Sequence, residues 1–151
     1  MATVYIGSDH AGLALKAALV ARLTEKGHVV ADLGPATAES CDYPVYAKLV
    51  CAKVLAGQTD AGSDPQCFGV LICGTGIGMS MTANHIPGIR AALCGCEFQA
   101  RATRQHNNAN VLCLGERVTG QGVALDMAEL FLSTPFEGGR HLRRVTMIET
   151  Q

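Results

Sequence analysis

One cysteine and two histidines are the candidate proton-transfer groups of this sequence. Cys73 ends an apolar run and directly precedes the glycine-rich segment 74–78. His10 lies near the N-terminus, and His106 precedes Asn107, whose side-chain amide could orient a ligand hydroxyl. Thiolates and imidazoles both transfer protons near neutral pH. Each histidine could instead be a structural hydrogen-bonding residue, so the neighbouring segments decide between the two roles.

The glycine-rich segment 74–78 is a candidate anion site. Its glycines allow a tight turn whose backbone N–H groups face a ligand, with Thr75 among them. If a helix begins near Ile77, its N-terminus favours an anion such as a phosphate or an enediolate oxygen. The same helix end would stabilise the thiolate form of Cys73. The alternatives are a plain tight turn and a cysteine that only packs in the core.

Charged side chains elsewhere could bind hydroxyls and a phosphate. Asp9 could accept hydrogen bonds from hydroxyls, although capping of the first helix is an equally good explanation. Arg140 and Arg144 are four residues apart in the charged tail, so a helix would point both to the same side. Two guanidinium groups on one side suit a phosphate. The alternative for the tail is a solvated basic face.

Alternating apolar patterns predict the elements that position these residues. Apolar runs and helical spacing predict strands over residues 4–6, 28–33, 67–73, 89–93 and 110–114, with helices near 13–26, 43–54, 97–106 and 123–131. We predict an α/β fold: a single Rossmann-like three-layer domain over residues 1–151, with a roughly five-stranded parallel sheet and a C-terminal helical tail. The polar segments 8–10, 73–80, 106–108 and 116–117 flank these strands, and we expect them together at the carboxyl edge of the sheet.

Composition and charge exclude several classes of protein. The chain has 151 residues, is 48% hydrophobic and carries a net charge of −1, so it offers no basic surface for nucleic acid or for an acidic membrane. No apolar run approaches the ~20 residues of a membrane span. The N-terminus lacks the pattern of an export signal, which favours a cytoplasmic protein with reduced thiols. Cys94-Gly-Cys96 is only half of a zinc motif, so we predict no metal site. The polar segment 57–66 is predicted to be a surface loop.

A series of ordered motifs covers nearly the whole chain. They are Gly7–Gly12, Asp42–Pro44, Cys73–Ser80, Ala83–Asn84, Pro87–Ala92, Arg104–Asn107, Gly115–Arg117 and Glu137–His141. Together they resemble the ribose-5-phosphate isomerase B family, within the wider group of sugar-phosphate isomerases that includes galactose-6-phosphate isomerase. The segment 57–66 is longer than the corresponding loop expected in that family.

The resemblance implies an aldose–ketose isomerase that interconverts ribose 5-phosphate and ribulose 5-phosphate. It implies that Cys73 is the base that moves a proton between C1 and C2, with Thr75 and His106 as further catalytic residues. His106 would open the furanose ring. The substrate-binding residues that it implies are Asp9, His10, Gly74, Thr75, Gly76, Ile77, Gly78, Asn107, Arg117, Arg140 and Arg144.

The same resemblance implies the partners of the protein, and two alternative functions stay open beside it. It implies a homodimer or a dimer of dimers with shared active sites and a sugar phosphate as the ligand, with no nucleic acid or membrane partner. No redox cofactor is expected, because the hydrogen moves as a proton. Allose 6-phosphate or another sugar phosphate is the alternative substrate. A non-catalytic module that binds a phosphate ligand or senses redox state through a thiol is the alternative of another class.

Overall fold

The computed structural model describes residues 1–58, 62 and 64–150, and in these residues five strands form one parallel sheet. The strands are β1 (Thr3–Ser8), β2 (Val29–Asp32), β3 (Cys67–Cys73), β4 (Ala91–Leu93) and β5 (Val111–Gly115), in the spatial order β2-β1-β3-β5-β4. The helices are α1 (Leu13–Glu25), α2 (Tyr43–Ala56), α3 (Ile77–Asn84), α4 (Glu97–Asn107), α5 (Gln121–Ser133) and α6 (Arg140–Glu149). The predicted α/β fold with its helical tail is confirmed.

Helices cover both faces of the sheet. Val70 and Ile72 of β3 point into a cluster formed with α1, α4 and α5, whereas Leu71 packs with α2 and α3. All three side chains are fully buried. This is why β3 is a near-continuous apolar run, since a central parallel strand has no solvent-facing side.

The central strands end together at one edge of the sheet. Cys73 at the end of β3 pairs with Gly115 at the end of β5, and Ser8 at the end of β1 pairs with Ile72. Gly115 must be small, because a Cβ there would lie 2.6 Å from the carbonyl carbon of Thr75. The glycine-rich segment therefore packs directly over the carboxyl end of β5.

The element boundaries differ from the predicted ones in a few places. The fourth strand begins at Ala91 rather than at residue 89, because the Ile89 N–H closes a turn on Ile86 and the Arg90 N–H donates to the Asn110 side chain. A short 3-10 helix, His10–Gly12, precedes α1 and was not predicted. Of the predicted loop 57–66, residues 59–61 and 63 lie outside the described residues. Among the described helices, none has the length and apolar character needed to cross a membrane.

Candidate active site

Cys73 lies at the last position of β3 and differs from the other buried thiols in its contacts. Its side chain is 5% exposed, and its Sγ accepts a hydrogen bond from the Gly76 N–H at 3.1 Å. Because α3 begins at the next residue, the sulfur faces the positive end of a helix. The Cys73 sulfur therefore lies beside a backbone donor and a helix N-terminus, in direct contact with the glycine-rich turn.

The remaining buried cysteines have surroundings that favour the protonated thiol. Burial raises the pKa of Cys51 and of Cys94 to about 12. Burial also raises the pKa of Cys113 well above its usual value. These three side chains therefore act as small apolar residues of the core, as predicted for most of the cysteines.

The segment 74–78 forms the predicted turn in front of α3. Gly76 has a φ of +78°, the left-handed conformation that brings its N–H onto the sulfur of Cys73. The Thr75 Oγ1 accepts a hydrogen bond from the Ile77 N–H at 3.3 Å, and both side chains are exposed. The turn therefore lies at a helix N-terminus beside a thiol, a position whose electrostatic potential favours an anion.

Arg117 lies against this turn. Its N–H donates to the Gly74 carbonyl at 3.0 Å, and a Cβ on Gly74 would lie 3.4 Å from the Arg117 Nη1. The guanidinium thus adds positive charge beside the turn. The neighbouring Glu116 is structural, because its carboxylate accepts a hydrogen bond from the Leu15 N–H in the first turn of α1.

Asp9 and His10 follow β1 at the same edge. The Asp9 carboxylate accepts a hydrogen bond from the Ala11 N–H at 2.9 Å and caps the 3-10 helix, which is the capping alternative considered from the sequence. The His10 Nδ1 accepts a hydrogen bond from the Cys41 N–H at 3.3 Å. In a neutral His10 the proton is therefore on Nε2, where it can be donated to a ligand.

Tyr43 is a residue of this edge that the sequence analysis missed. It begins α2, and a Cβ on Gly78 would lie 2.6 Å from its Cζ, so the phenol ring packs on the glycine-rich turn. A single tyrosine at the start of a helix does not by itself indicate a functional residue. The only indication in the sequence was that Tyr43 lies within the motif Asp42–Pro44.

His106 and Asn107 lie at the opposite edge of the sheet, and the expectation of a common edge was wrong for the segment 106–108. These residues end α4, which runs back to the start of β5. A segment that directly precedes a parallel strand lies at the amino edge, whereas Cys73 lies at the carboxyl edge. The five residues of β5 alone separate the two edges by roughly 15 Å.

The amino edge carries its own polar cluster. The rings of His106 and His141 stack with centroids 4.4 Å apart, and the Glu137 Oε2 lies 4.0 Å from the His106 Nε2 and 3.6 Å from the His141 Nε2. Burial, together with the nearby His106 and Arg140 charges, lowers the pKa of His141. Arg140 and Arg144 are exposed one helical turn apart on α6 beside this cluster.

The same cluster offers donor atoms of the kind that bind metals. Atoms of His106, Glu137 and His141 all lie within 4.8 Å of one another. However, the two imidazole planes are only 14° from parallel, so their nitrogen lone pairs do not converge on one point. The absence of a metal site stays a prediction.

The structure thus divides the predicted site residues into two groups. The carboxyl-edge group is Asp9, His10, Cys73, Gly74, Thr75, Gly76, Ile77, Gly78 and Arg117. The amino-edge group is His106, Asn107, Arg140 and Arg144. One chain does not bring the two groups together, because they lie at opposite ends of the same sheet.

Comparison with known proteins places the chain among sugar-phosphate isomerases. Residues 4–148 match the family model described as Ribose/Galactose Isomerase. The chain is 43% identical over 148 residues to ribose-5-phosphate isomerase B of Escherichia coli (strain K12), with 98% of this chain and 95% of that protein covered.

Solved structures agree in fold over nearly the full length. The ribose 5-phosphate isomerase from Thermotoga maritima matches with a TM-score of 0.91 and 46% identity, covering 99% of each chain. The ribose-5-phosphate isomerase B from Mycoplasma genitalium, which has ribulose-5-phosphate bound, matches with a TM-score of 0.90 and 42% identity, covering 97% of this chain and 93% of that one. From these full-length matches and the shared fold, the chain belongs to the ribose/galactose isomerase family.

Proposed function

We propose that this protein interconverts ribose 5-phosphate and ribulose 5-phosphate. The observation that carries this proposal is the buried Cys73 thiol, which faces the start of α3 and accepts the Gly76 N–H. The relatives support the choice of substrate, since the Escherichia coli relative is named for this activity and the Mycoplasma genitalium structure has ribulose-5-phosphate bound.

In the proposed reaction, the Cys73 thiolate removes the proton from C2 of the open-chain aldose. The electron pair moves into the C1–C2 bond and on to the carbonyl oxygen, which gives an enediolate. Backbone N–H groups of the segment 74–78 stabilise its negative oxygen. The O2 hydroxyl proton passes to O1, the proton held by Cys73 returns to C1, and O2 becomes the carbonyl oxygen of the ketose. The hydrogen moves only as a proton, so this chemistry needs no redox cofactor.

Residues of both edges supply the other proposed functions. His106 opens the furanose ring by moving a proton between the ring oxygen and the C1 hydroxyl. Arg140 and Arg144 bind the phosphate, because two guanidinium groups one turn apart match its oxygens. Asn107, Asp9 and His10 bind sugar hydroxyls, and Arg117 adds positive charge beside the enediolate.

We also propose that each active site is shared between two chains. Cys73 and His106 lie at opposite edges of one sheet, so a substrate of five carbons cannot reach both within a single chain. A two-fold dimer that places the carboxyl edge of one chain against the amino edge of the other forms two equivalent sites. Exposed apolar side chains on α2, α3 and α6 are available for such an interface, namely Val45, Leu49, Met81, Met147 and Ile148.

The experiment that tests the proposed activity is a direct assay. The purified protein is incubated with ribose 5-phosphate, and the ketose product is measured over time. Turnover that approaches an equilibrium mixture from either sugar supports the proposal. Turnover of allose 6-phosphate alone would assign the alternative substrate. Binding of ribose 5-phosphate without any ketose product would favour a non-catalytic binding module.

A further inference from the structure

Arg104 is an internal cation on the same helix as His106 and Asn107. It lies on α4 two residues before His106 and is 1% exposed. Its Cζ lies 5.3 Å from the ring centroid of Phe68 and 5.7 Å from that of Phe131. Burial lowers the pKa of Arg104 to about 10, so the side chain remains a cation at neutral pH. Such a buried charge needs a partner.

The partner is Asp64, from the segment that precedes β3. The Arg104 Nη2 donates to the Asp64 Oδ1 at 2.9 Å. The same oxygen accepts a second hydrogen bond from the Phe136 N–H, also at 2.9 Å. One carboxylate oxygen therefore ties α4 to the connection between α5 and α6.

Both tied segments carry residues of the polar cluster at the amino edge, namely His106 on α4 and Glu137 on the connection. Phe136 directly precedes Glu137, whose N–H donates to the Gln105 carbonyl of α4 at 3.1 Å and whose carboxylate faces His106 and His141. Gly62, two residues before Asp64, also lies close to α6, because a Cβ on Gly62 would lie 3.5 Å from the Leu142 Cδ1. Asp64 therefore links the helix that carries His106 to the connection that leads into the helix that carries Arg140.

We propose that Asp64 is a positioning residue that aligns His106 with Arg140 for substrate binding. This inference rests on the proposed function. Asp64 acts through Arg104 and Phe136, so its substitution is expected to shift two groups that must contact one substrate molecule together. Placement errors of this kind weaken a site even when every functional side chain is still present.

Steady-state kinetics of Asp64→Ala separate positioning from simple loss of folded protein. A fold defect lowers kcat, because fewer molecules are active, and leaves KM unchanged. We expect KM for ribose 5-phosphate to rise roughly tenfold. Asp64→Asn keeps an acceptor oxygen for the Phe136 N–H and should restore most of the wild-type KM. Glu25→Ala, which removes an exposed carboxylate from α1, is the matched control and should leave KM unchanged. An unchanged KM in Asp64→Ala would overturn the proposal.

Subunit mixing tests whether Asp64 acts on the amino-edge residues of its own chain. Asp64→Ala is unfolded with an equal amount of Cys73→Ala, and the pair is refolded together. If Asp64 serves the amino edge of its own chain, mixed dimers contain one site free of both defects, and low-KM turnover returns. Asp64→Ala mixed with His106→Ala should show no such return. Mixing Cys73→Ala with His106→Ala tests whether the active site is shared between two chains, because only a shared site regains activity. Recovery in that pair, without recovery for Asp64→Ala with Cys73→Ala, would overturn the role of Asp64 while leaving the proposed function standing.

Discussion

At the scale of single residues, the position of Cys73 separates it from the other cysteines. Its sulfur accepts a backbone N–H at a helix start, whereas burial keeps Cys51, Cys94 and Cys113 protonated. The sequence placed Cys73 between an apolar strand and a glycine-rich turn, and the structure confirms that placement. Its role as the base remains a proposal that a substitution can test.

We expect Cys73→Ala to abolish isomerase activity while the fold persists. Removing one buried sulfur costs on the order of 1 kcal/mol of stability, which leaves a typical domain folded. Turnover of ribose 5-phosphate and thermal unfolding are the measurements. Cys51→Ala removes a buried thiol from α2 and should keep its turnover. Near-wild-type activity of Cys73→Ala would assign the proton transfer to another group.

His106→Asn should impair ring opening more than proton transfer. We expect an activity loss on the order of 100-fold with ribose 5-phosphate, which is the usual contribution of a general acid–base group. Erythrose 4-phosphate cannot form a furanose ring, because its O4 carries the phosphate. Relative to the wild-type enzyme on the same sugar, the variant should lose much less activity with erythrose 4-phosphate. Equal losses on the two sugars would indicate a role in binding or in proton transfer itself.

His141 should make the stability of the protein depend on pH. Burial and the neighbouring positive charges lower its pKa, so the unfolded chain binds the His141 proton more readily than the folded chain does. Stability is therefore lost as the pH falls through the usual histidine value of about 6.5. The unfolding temperature should fall less between pH 7.5 and pH 5.5 in His141→Gln than in the wild type. Identical pH dependence in both proteins would contradict this account.

At the scale of elements, the apolar patterns were sufficient for the strands and most helices. The central strand β3 was predictable because burial on both faces requires an unbroken apolar run. The edge strand β4 was predicted two residues too long, since side-chain and turn hydrogen bonds at Ile89 and Arg90 are invisible in a pattern. The short 3-10 helix was missed for a similar reason, because its three residues form no apolar period.

The turn between β3 and α3 depends on the glycine at position 76. Gly76→Ala forces a side chain into the left-handed region, at about 1–2 kcal/mol, and its Cβ would lie 2.6 Å from the Leu93 Cδ1. We expect lower stability and a loss of activity, because the hydrogen bond to Cys73 is displaced. Chemical denaturation and turnover measure the two effects.

Gly122→Ala is the control for this substitution. Position 122 lies in α5, and a Cβ there would meet nothing within 4 Å. Alanine should keep activity and raise stability by roughly 0.5–1 kcal/mol, as it does in helices generally. If Gly76→Ala behaved like Gly122→Ala, the conformation of the turn would not matter for catalysis.

At the scale of the whole molecule, the two groups of site residues explain what the sequence could not show. Motifs reveal which side chains carry chemistry, but the edge on which each lies depends on strand direction and sheet order. His106 precedes β5 and Cys73 ends β3, so the parallel pairing of these strands sends them to opposite edges. The proposed site, in which both residues act on one substrate, therefore requires contributions from two chains.

The measurement that tests this central claim most directly is subunit complementation between Cys73→Ala and His106→Ala. Equal amounts are unfolded, mixed and refolded, and subunit exchange is verified with differently tagged chains. Random pairing makes roughly half of the dimers mixed, and each mixed dimer has one site with both defects and one with neither. We therefore expect about a quarter of the wild-type activity to return. No recovered activity despite proven exchange would contradict a site built by Cys73 of one chain and His106 of the other.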